Sequence, residues 1–189
     1  MKARTAVALP CFGALIALSV MLNSSISADD RAGRHDGTSE ISFPGPDHRH
    51  LEGFIGAWDA NVMLYDGQQT PIRSSGTLTS RWTLGGRFVS QQFEGTIGTS
   101  LVHGMGLLGF DRVSQQFVSS WADTTSTSLQ VCYGTFSEGK QKFSLRGPGQ
   151  VGQAQSMVEL QIHGKDSYSY SLYRANGEKS LEIGFTRHP

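Results

Sequence analysis

From Gly56 to the C-terminus, apolar and polar residues alternate in short runs that are separated by glycine, asparagine and aspartate. A period of two predicts β-strands that bury one face. The sequence holds roughly ten such runs, at the spacing typical of sandwiches and barrels. The connections are short, and Asn176-Gly177 is typical of a type I′ hairpin turn. Consecutive strands joined by short turns pair antiparallel, and no helical run is long enough for the crossover that a parallel sheet needs.

The pattern therefore predicts an all-β domain, an antiparallel up-and-down meander of about ten strands. An open meander exposes two strand edges, and closing the sheet into a barrel removes them. Barrels near this size are wide enough to hold a small ligand inside. A short helical turn is expected before the first strand, over residues 47–54, with Asp47 as its N-cap.

The N-terminal residues follow a different pattern. Lys2 and Arg4 precede an uncharged apolar stretch, Thr5 to Leu22, and small residues follow as far as Ala28. This order is typical of a secretory signal peptide, so we expect residues 1–28 to be cleaved and the protein to be exported, to the periplasm or to the medium. The alternative is a retained membrane anchor, because the apolar stretch is just long enough to span a bilayer.

Residues 29–46 are polar and lack periodicity, which predicts a disordered linker before a domain at 47–189. Cleavage of the signal would leave 14 basic and 16 acidic residues. A net charge near −2 favours neither a nucleic-acid partner nor, after cleavage, a membrane surface. Cys132 would then be the only cysteine of the mature chain, so we expect no internal disulfide and interpret Cys132 as a small buried hydrophobe.

Two motifs could indicate a cofactor or a metal. Residues 104–109 spell G-x-G-x-x-G, but a dinucleotide site needs a helix directly after this motif, and here a turn and another strand follow. The alternative is a strand kinked by glycine. The histidines are scattered without the i, i+4 spacing of a zinc site, although distant strands of a barrel can bring histidines together. We therefore predict no cofactor and no metal.

Several aromatic and charged residues fall on the predicted inner faces of the strands. Asp123 shares its face with Phe117 and Trp121, and Arg187 shares its face with Phe185. Such charged side chains either stabilise one end of the barrel through structural contacts or polarise a ligand in the cavity. The aromatic residues form either a filled core or the lining of a cavity. The candidate ligand-binding residues are Trp58, Trp82, Phe110, Trp121, Asp123, Tyr133, Tyr170 and Arg187.

Five short motifs occur in order along residues 48–188: His48 to Gly56-x-Trp58, Gly85-Gly86-Arg87-Phe88, Gly104 to Asp111, Trp121-x-Asp123 and Phe185-Thr186-Arg187. Together they resemble an uncharacterised bacterial family, one of the numbered domains of unknown function. Phe54 stands where that family has leucine. The resemblance implies the domain boundaries but no activity.

Gly56-x-Trp58 at the first strand and Arg187 at the last also resemble the calycins, which include lipocalins, fatty-acid-binding proteins and nitrobindin-like barrels. This resemblance implies that a basic residue of the last strand covers a tryptophan of the first, in a ligand-binding barrel of eight to ten strands. The haem-ligating histidine of nitrobindin-like barrels has no counterpart here, since His188 lies on the opposite face from Arg187.

Three functions follow from these observations. The first is the binding of a small apolar or amphipathic molecule inside the barrel, and no catalytic residue is assigned for it. The second is an enzyme of the same cavity, with Asp123 or Glu94 as base and Arg187 as anion stabiliser. The third is a structural or adhesion module, which needs an exposed apolar face.

Overall fold

The computed structural model describes residues 40–67, 70–147 and 156–189. The predicted signal peptide lies outside these residues, as does the greater part of the predicted linker. The described residues form ten strands: β1 Gly56–Leu64, β2 Ile72–Thr83, β3 Phe88–Ile97, β4 Ser100–Asp111, β5 Gln116–Asp123, β6 Gln130–Ser137, β7 Lys142–Gly147, β8 Ser156–Gly164, β9 Ser167–Tyr173 and β10 Lys179–Arg187.

The strands form one closed antiparallel barrel. Each strand pairs with the next along the chain, and β10 pairs with β1 from Trp58↔Arg187 to Leu64↔Leu181. The predicted all-β up-and-down meander is thus confirmed, closure included. A nine-residue 3-10 helix, Pro46–Phe54, precedes β1 where the helical turn is expected. Within the described ranges, no helix is long and apolar enough to cross a bilayer.

The turn between β9 and β10 differs from its prediction. Gly177 has the left-handed φ of 85°, but Asn176 is not among the residues of positive φ, and a type I′ turn needs both. The Gly177 amide donates to the Arg174 carbonyl at 2.9 Å, and the Arg174 amide donates to the Glu178 carbonyl at 2.8 Å. The turn is therefore a longer one that ends on a left-handed glycine, still within an antiparallel hairpin.

The 3-10 helix closes one end of the barrel. Its Leu51 and Phe54 are fully buried. The Phe54 ring lies 5.3 Å from the Phe143 ring and 5.0 Å from the Tyr168 ring, and Tyr168 stacks on Phe185 at 4.5 Å. Each such aromatic pair adds about 0.5–1.5 kcal/mol beyond the burial of its area. The densest part of the core therefore lies at the helix end.

Trp58 and Arg187 lock this closed end together. The Trp58 Nε1–H donates to the Phe54 carbonyl at 2.9 Å, and the Arg187 guanidinium lies 4.3 Å from the Trp58 ring centre. Arg187 also donates to the carbonyls of Ile55 at 3.1 Å and Lys165 at 2.7 Å. The last strand thus covers the tryptophan of the first, as the calycin resemblance implies.

Gly56 is required by this closure. Its φ is 134°, and a Cβ at this position would lie 2.4 Å from an Arg187 guanidinium nitrogen. Any other residue would be strained in its backbone and would displace the arginine from Trp58. The close approach of Arg187 therefore explains why the Gly56-x-Trp58 motif begins with glycine.

The described end of the predicted linker, residues 40–46, contacts the barrel. Arg87 donates through Nε to the Ser42 carbonyl at 2.9 Å, and Arg112 donates to the carbonyls of Glu40 and Phe43. His48 follows at the start of the 3-10 helix and is 6% exposed. Its Nδ1 accepts a hydrogen bond from the Gly45 amide at 3.0 Å, so the neutral imidazole is part of the helix start.

Burial lowers the pKa of His48, and the nearby Arg112 lowers it further. A histidine whose folded pKa is depressed gives its full stabilisation above the unfolded pKa and loses it as the pH falls below that value. We therefore expect the urea midpoint of unfolding to fall between about pH 7 and about pH 5. His48→Gln should reduce this fall, while His103→Gln, at an exposed histidine, should leave it unchanged. Equal pH dependence in all three proteins would contradict the assignment to His48.

Candidate functional site

A cavity of about 140 Å³ lies inside the barrel, toward the end away from the 3-10 helix. Phe117, at the start of β5, contacts His50 of the helix, whereas Asp123, at the end of β5, lines the cavity. The apolar part of the wall is provided by Leu78, Phe93, Ile97, Val158, Leu160, Leu172, Leu181, Ile183 and Phe185. The other lining residues are Gln91, Ser119, Trp121, Asp123, Gln130, Cys132, Tyr168 and Tyr170.

Small side chains on β4 to β6 keep this space open. Ser119 and Cys132 pair across β5 and β6 and both line the cavity. On β4, a Cβ at Gly104 would lie 2.3 Å from the Trp121 ring, and a Cβ at Gly106 would lie 2.8 Å from it. The glycine-rich stretch at 104–109 is thus part of a strand and makes room for an indole, and no helix starts after it to bind a phosphate.

Tyr168 borders the cavity and carries a buried hydroxyl group. The residue is 2% exposed, and its hydroxyl has no hydrogen-bond partner among the described residues. Burial raises the pKa of Tyr168 and of Tyr170, so both phenols stay protonated and can donate. A buried hydroxyl without a partner costs about 1–3 kcal/mol.

Asp123 is the acidic residue of the wall. Its Oδ2 accepts from the Trp121 Nε1–H at 3.0 Å, and its Oδ1 accepts from the Thr125 amide at 2.9 Å and from the Thr125 hydroxyl at 2.5 Å. Desolvation alone would raise the pKa of Asp123, but these hydrogen bonds outweigh it and hold the pKa below the usual value. Asp123 is therefore ionised at neutral pH, which makes it a weak general base.

Three of the eight predicted site residues meet in the cavity: Trp121, Asp123 and Tyr170. Trp58 and Arg187 instead close the opposite end, and Trp82 packs from the side against the core. The structure therefore does not bring Asp123 and Arg187 together, and the prediction that they share one site is wrong. Arg187 is engaged by Asp166, at 3.1 Å, and by backbone carbonyls. Glu94, the other proposed base, is exposed on β3.

Tyr133 is the second correction. It is 47% exposed on the outside of β6, while Cys132 faces the interior. Val131 and Tyr133 of β6 face outward, as does Leu129 just before the strand, whereas Gln130 and Cys132 line the cavity. In this part of β6 the more apolar face is therefore the outer one. The alternation of apolar and polar residues wrongly predicts that this face lies inside the barrel.

A second cavity of about 210 Å³ lies beside the 3-10 helix and contains Phe110, the remaining predicted site residue. Its wall includes Arg87, Arg112, His48 and the segment at 41–42. Both arginines already donate to backbone carbonyls of residues 40–43, and the His48 Nδ1 accepts from Gly45. The two arginines and the His48 Nδ1 thus already have backbone partners, whereas the Tyr168 hydroxyl has none among the described residues.

Three histidines contact neighbouring side chains of the described fold. His50 packs 4.3 Å from the Phe136 ring, His163 lies 2.9 Å from the Ser169 hydroxyl, and His188 lies 3.0 Å from an Asp59 oxygen. In the part of the chain that the structure describes, no three His, Cys, Asp or Glu side chains are placed to hold a metal ion.

The outer face of β4 to β6 carries large apolar side chains. Leu101, Met105, Leu107, Leu129 and Tyr133 are between 38% and 68% exposed. An exposed apolar face is the feature that a structural or adhesion module requires, and that function stays a prediction.

A family model described as a protein of unknown function, DUF1579, matches residues 43–180. The chain belongs to this family. The resemblance drawn from the five motifs is thereby confirmed. No curated protein matches this DUF1579 chain.

Among solved structures, the DUF1579 chain is similar to Rv2717c from M. tuberculosis, with 16% identity and a TM-score of 0.57, over 78% of this chain and 100% of that one. It is also similar to a redesigned β-barrel, mFAP0, that was solved bound to DFHBI, with 15% identity and a TM-score of 0.39, over 71% of this chain and 99% of that one. The likeness to Rv2717c shows the barrel fold and nothing further.

Proposed function

We propose that this DUF1579 protein binds a small, largely apolar molecule of about one ring in the barrel cavity. The observation that carries the proposal is a largely apolar cavity inside the barrel, bordered by Tyr168, whose buried hydroxyl has no partner among the described residues. An engineered apolar cavity of about 150 Å³ accommodates benzene, so a cavity of about 140 Å³ suits a single ring. The same size argues against a long acyl chain.

The apolar and the polar residues of the cavity lining contribute differently to ligand recognition. Val158, Leu160 and Leu172 supply an apolar surface, while the Gln130 amide supplies hydrogen bonds. Apolar walls with a few polar groups are typical of small-molecule sites, where the polar groups fix the orientation of the ligand.

Filling the cavity should abolish binding without unfolding the barrel. In Ser119→Phe, the added ring would occupy the space beside Cys132, and we expect the affinity for benzyl alcohol and benzylamine to fall at least about tenfold. Ser120→Phe is the matched control, because Ser120 is the next residue of β5 and faces outward. Nuclear magnetic resonance titrations of tryptophan-labelled protein would measure both, with the indole N–H signal of Trp121 as the reporter.

The proposal also predicts where the signal should move. The Trp121 indole lies at the cavity, and the Trp58 indole lies at the closed end, bonded to Phe54. Binding in the cavity should shift the Trp121 signal and leave the Trp58 signal in place. Wild-type and Ser119→Phe proteins that respond alike to every single-ring probe would overturn the proposal.

Export is the second part of the proposed function. We propose that residues 1–28 are a cleaved signal, so that the barrel acts outside the cytoplasm. The mass of the protein isolated from its own cells tests this. A mature chain that starts near Asp29 supports export, and an intact Met1 in a membrane fraction supports the anchor instead.

A further inference from the structure

The cavity carries one uncompensated charge. Asp123 is ionised, and the described residues that line the cavity include no lysine, arginine or histidine. Among the described residues, the carboxylate accepts from neutral groups alone, an indole N–H, an amide and a hydroxyl. The cavity wall at Asp123 is therefore negative, which disfavours an anionic occupant and favours a cationic one.

The aromatic residues of the wall act in the same direction. Trp121, Tyr168, Tyr170, Phe93 and Phe185 line the cavity with Asp123. The face of an aromatic ring carries negative electrostatic potential, and tryptophan attracts a cation most strongly. Trp121 is also bonded to Asp123, so the preferred ring and the carboxylate lie at one place.

Asp123 has room for one more hydrogen bond. A carboxylate accepts about four hydrogen bonds, two at each oxygen, and the structure gives Asp123 two at Oδ1 and one at Oδ2. Oδ2, which accepts from the Trp121 indole, has no second donor among the described residues. An ammonium group placed there would complete the carboxylate and meet the aromatic wall.

We propose that the occupant of the cavity is a small organic cation, a protonated amine with an apolar body of about one ring. This inference rests on the proposed function, since it names the chemical class of the molecule that the cavity binds. The ammonium group lies at Asp123 and Trp121, and the ring lies deeper, against Val158 and Leu160.

Three probes of the same ring and different charge test the inference: benzylamine, benzyl alcohol and benzoate. We expect benzylamine to bind wild-type protein about tenfold more tightly than benzyl alcohol, because hydrogen bonds to a charged partner are about twice as strong as neutral ones. Benzoate should bind most weakly. The Trp121 indole shift would give the three dissociation constants at neutral pH and low salt.

Asp123→Asn should remove the preference for the amine. Asparagine keeps the shape of the side chain and an oxygen for Thr125, but its amide nitrogen cannot accept from the Trp121 Nε1–H. The Trp121 signal of the free variant should therefore move, while the barrel should fold and the affinity for benzyl alcohol should change little. Benzylamine should lose its advantage of about tenfold. Glu94→Gln is the matched control, since it removes one negative charge from the same barrel at an exposed residue outside the cavity wall. It should leave all three affinities unchanged.

The outcomes separate this inference from the proposed function. Equal binding of benzylamine and benzyl alcohol, or a preference for benzylamine that persists in Asp123→Asn, would overturn the cation and leave a neutral binder. Failure of every probe to distinguish wild type from Ser119→Phe would overturn both. A preference that is lost in Asp123→Asn and kept in Glu94→Gln supports the cation.

Discussion

Trp58→Ala should lower the free energy of unfolding by about 3–5 kcal/mol, the range for large aromatic truncations in a core. Trp58 is 1% exposed and meets the Tyr168 ring at 4.8 Å. The substitution also leaves the Phe54 carbonyl without its indole donor and removes the ring that Arg187 covers. Since β1, β10 and the 3-10 helix meet here, we expect the closed end to open first. Urea denaturation, followed by circular dichroism, measures the loss.

Trp82→Ala is the matched control. Trp82 is also on a strand of the barrel, but it is half-buried and packs against the edge of the core. Its truncation removes less buried surface and should cost clearly less. Trp58→Phe should lie between the two, because the ring is kept and the bond to Phe54 is lost. Equal losses in Trp58→Ala and Trp82→Ala would show that the closed end is not the stabilising centre.

The barrel was predictable because its determinants are local. Alternation of period two assigns each strand, and short turns oblige neighbours in sequence to be neighbours in the sheet. The contact that closes the barrel was also predictable, because its residues form recognisable motifs in the first and last strands, Gly56-x-Trp58 and Arg187. The strand register confirms that Trp58 pairs with Arg187. The type of the turn at Asn176-Gly177 was not predictable, since bulged and two-residue hairpins use the same residues.

The cavity was only partly predictable, because an inner face need not be apolar. Where β4 to β6 border the cavity, glycine, serine, cysteine and glutamine face inward, and leucine and tyrosine face outward. Hydrophobicity therefore places Tyr133 on the wrong side. Tyr168 lies two residues before Tyr170 on β9 and so shares its face, but it is not among the predicted site residues. The position of a residue along the barrel axis, which separates Asp123 from Arg187, depends on the stagger of the strands and is not local.

Gly134→Ala tests the packing of the same strand. We expect it to destabilise the barrel by about 1–3 kcal/mol, the usual cost of forcing extra atoms into a packed interior. A Cβ at Gly134 would lie 2.0 Å from the Ser144 carbonyl oxygen and 2.8 Å from the Leu145 Cα. Both atoms are backbone of β7, so no side-chain rotation can relieve the contact and the two strands must move apart.

Gly184→Ala is the control, because Gly184 also lies inside a strand and has nothing within 4 Å of its Cβ position. There the substitution restricts only the unfolded chain, and it should stabilise by roughly 0.5–1 kcal/mol. Urea unfolding of the two variants should thus shift in opposite directions from wild type. A loss at Gly184 as large as that at Gly134 would mean that glycine serves backbone flexibility at both positions. Opposite signs would mean that the close approach of β6 and β7 is what requires glycine at 134.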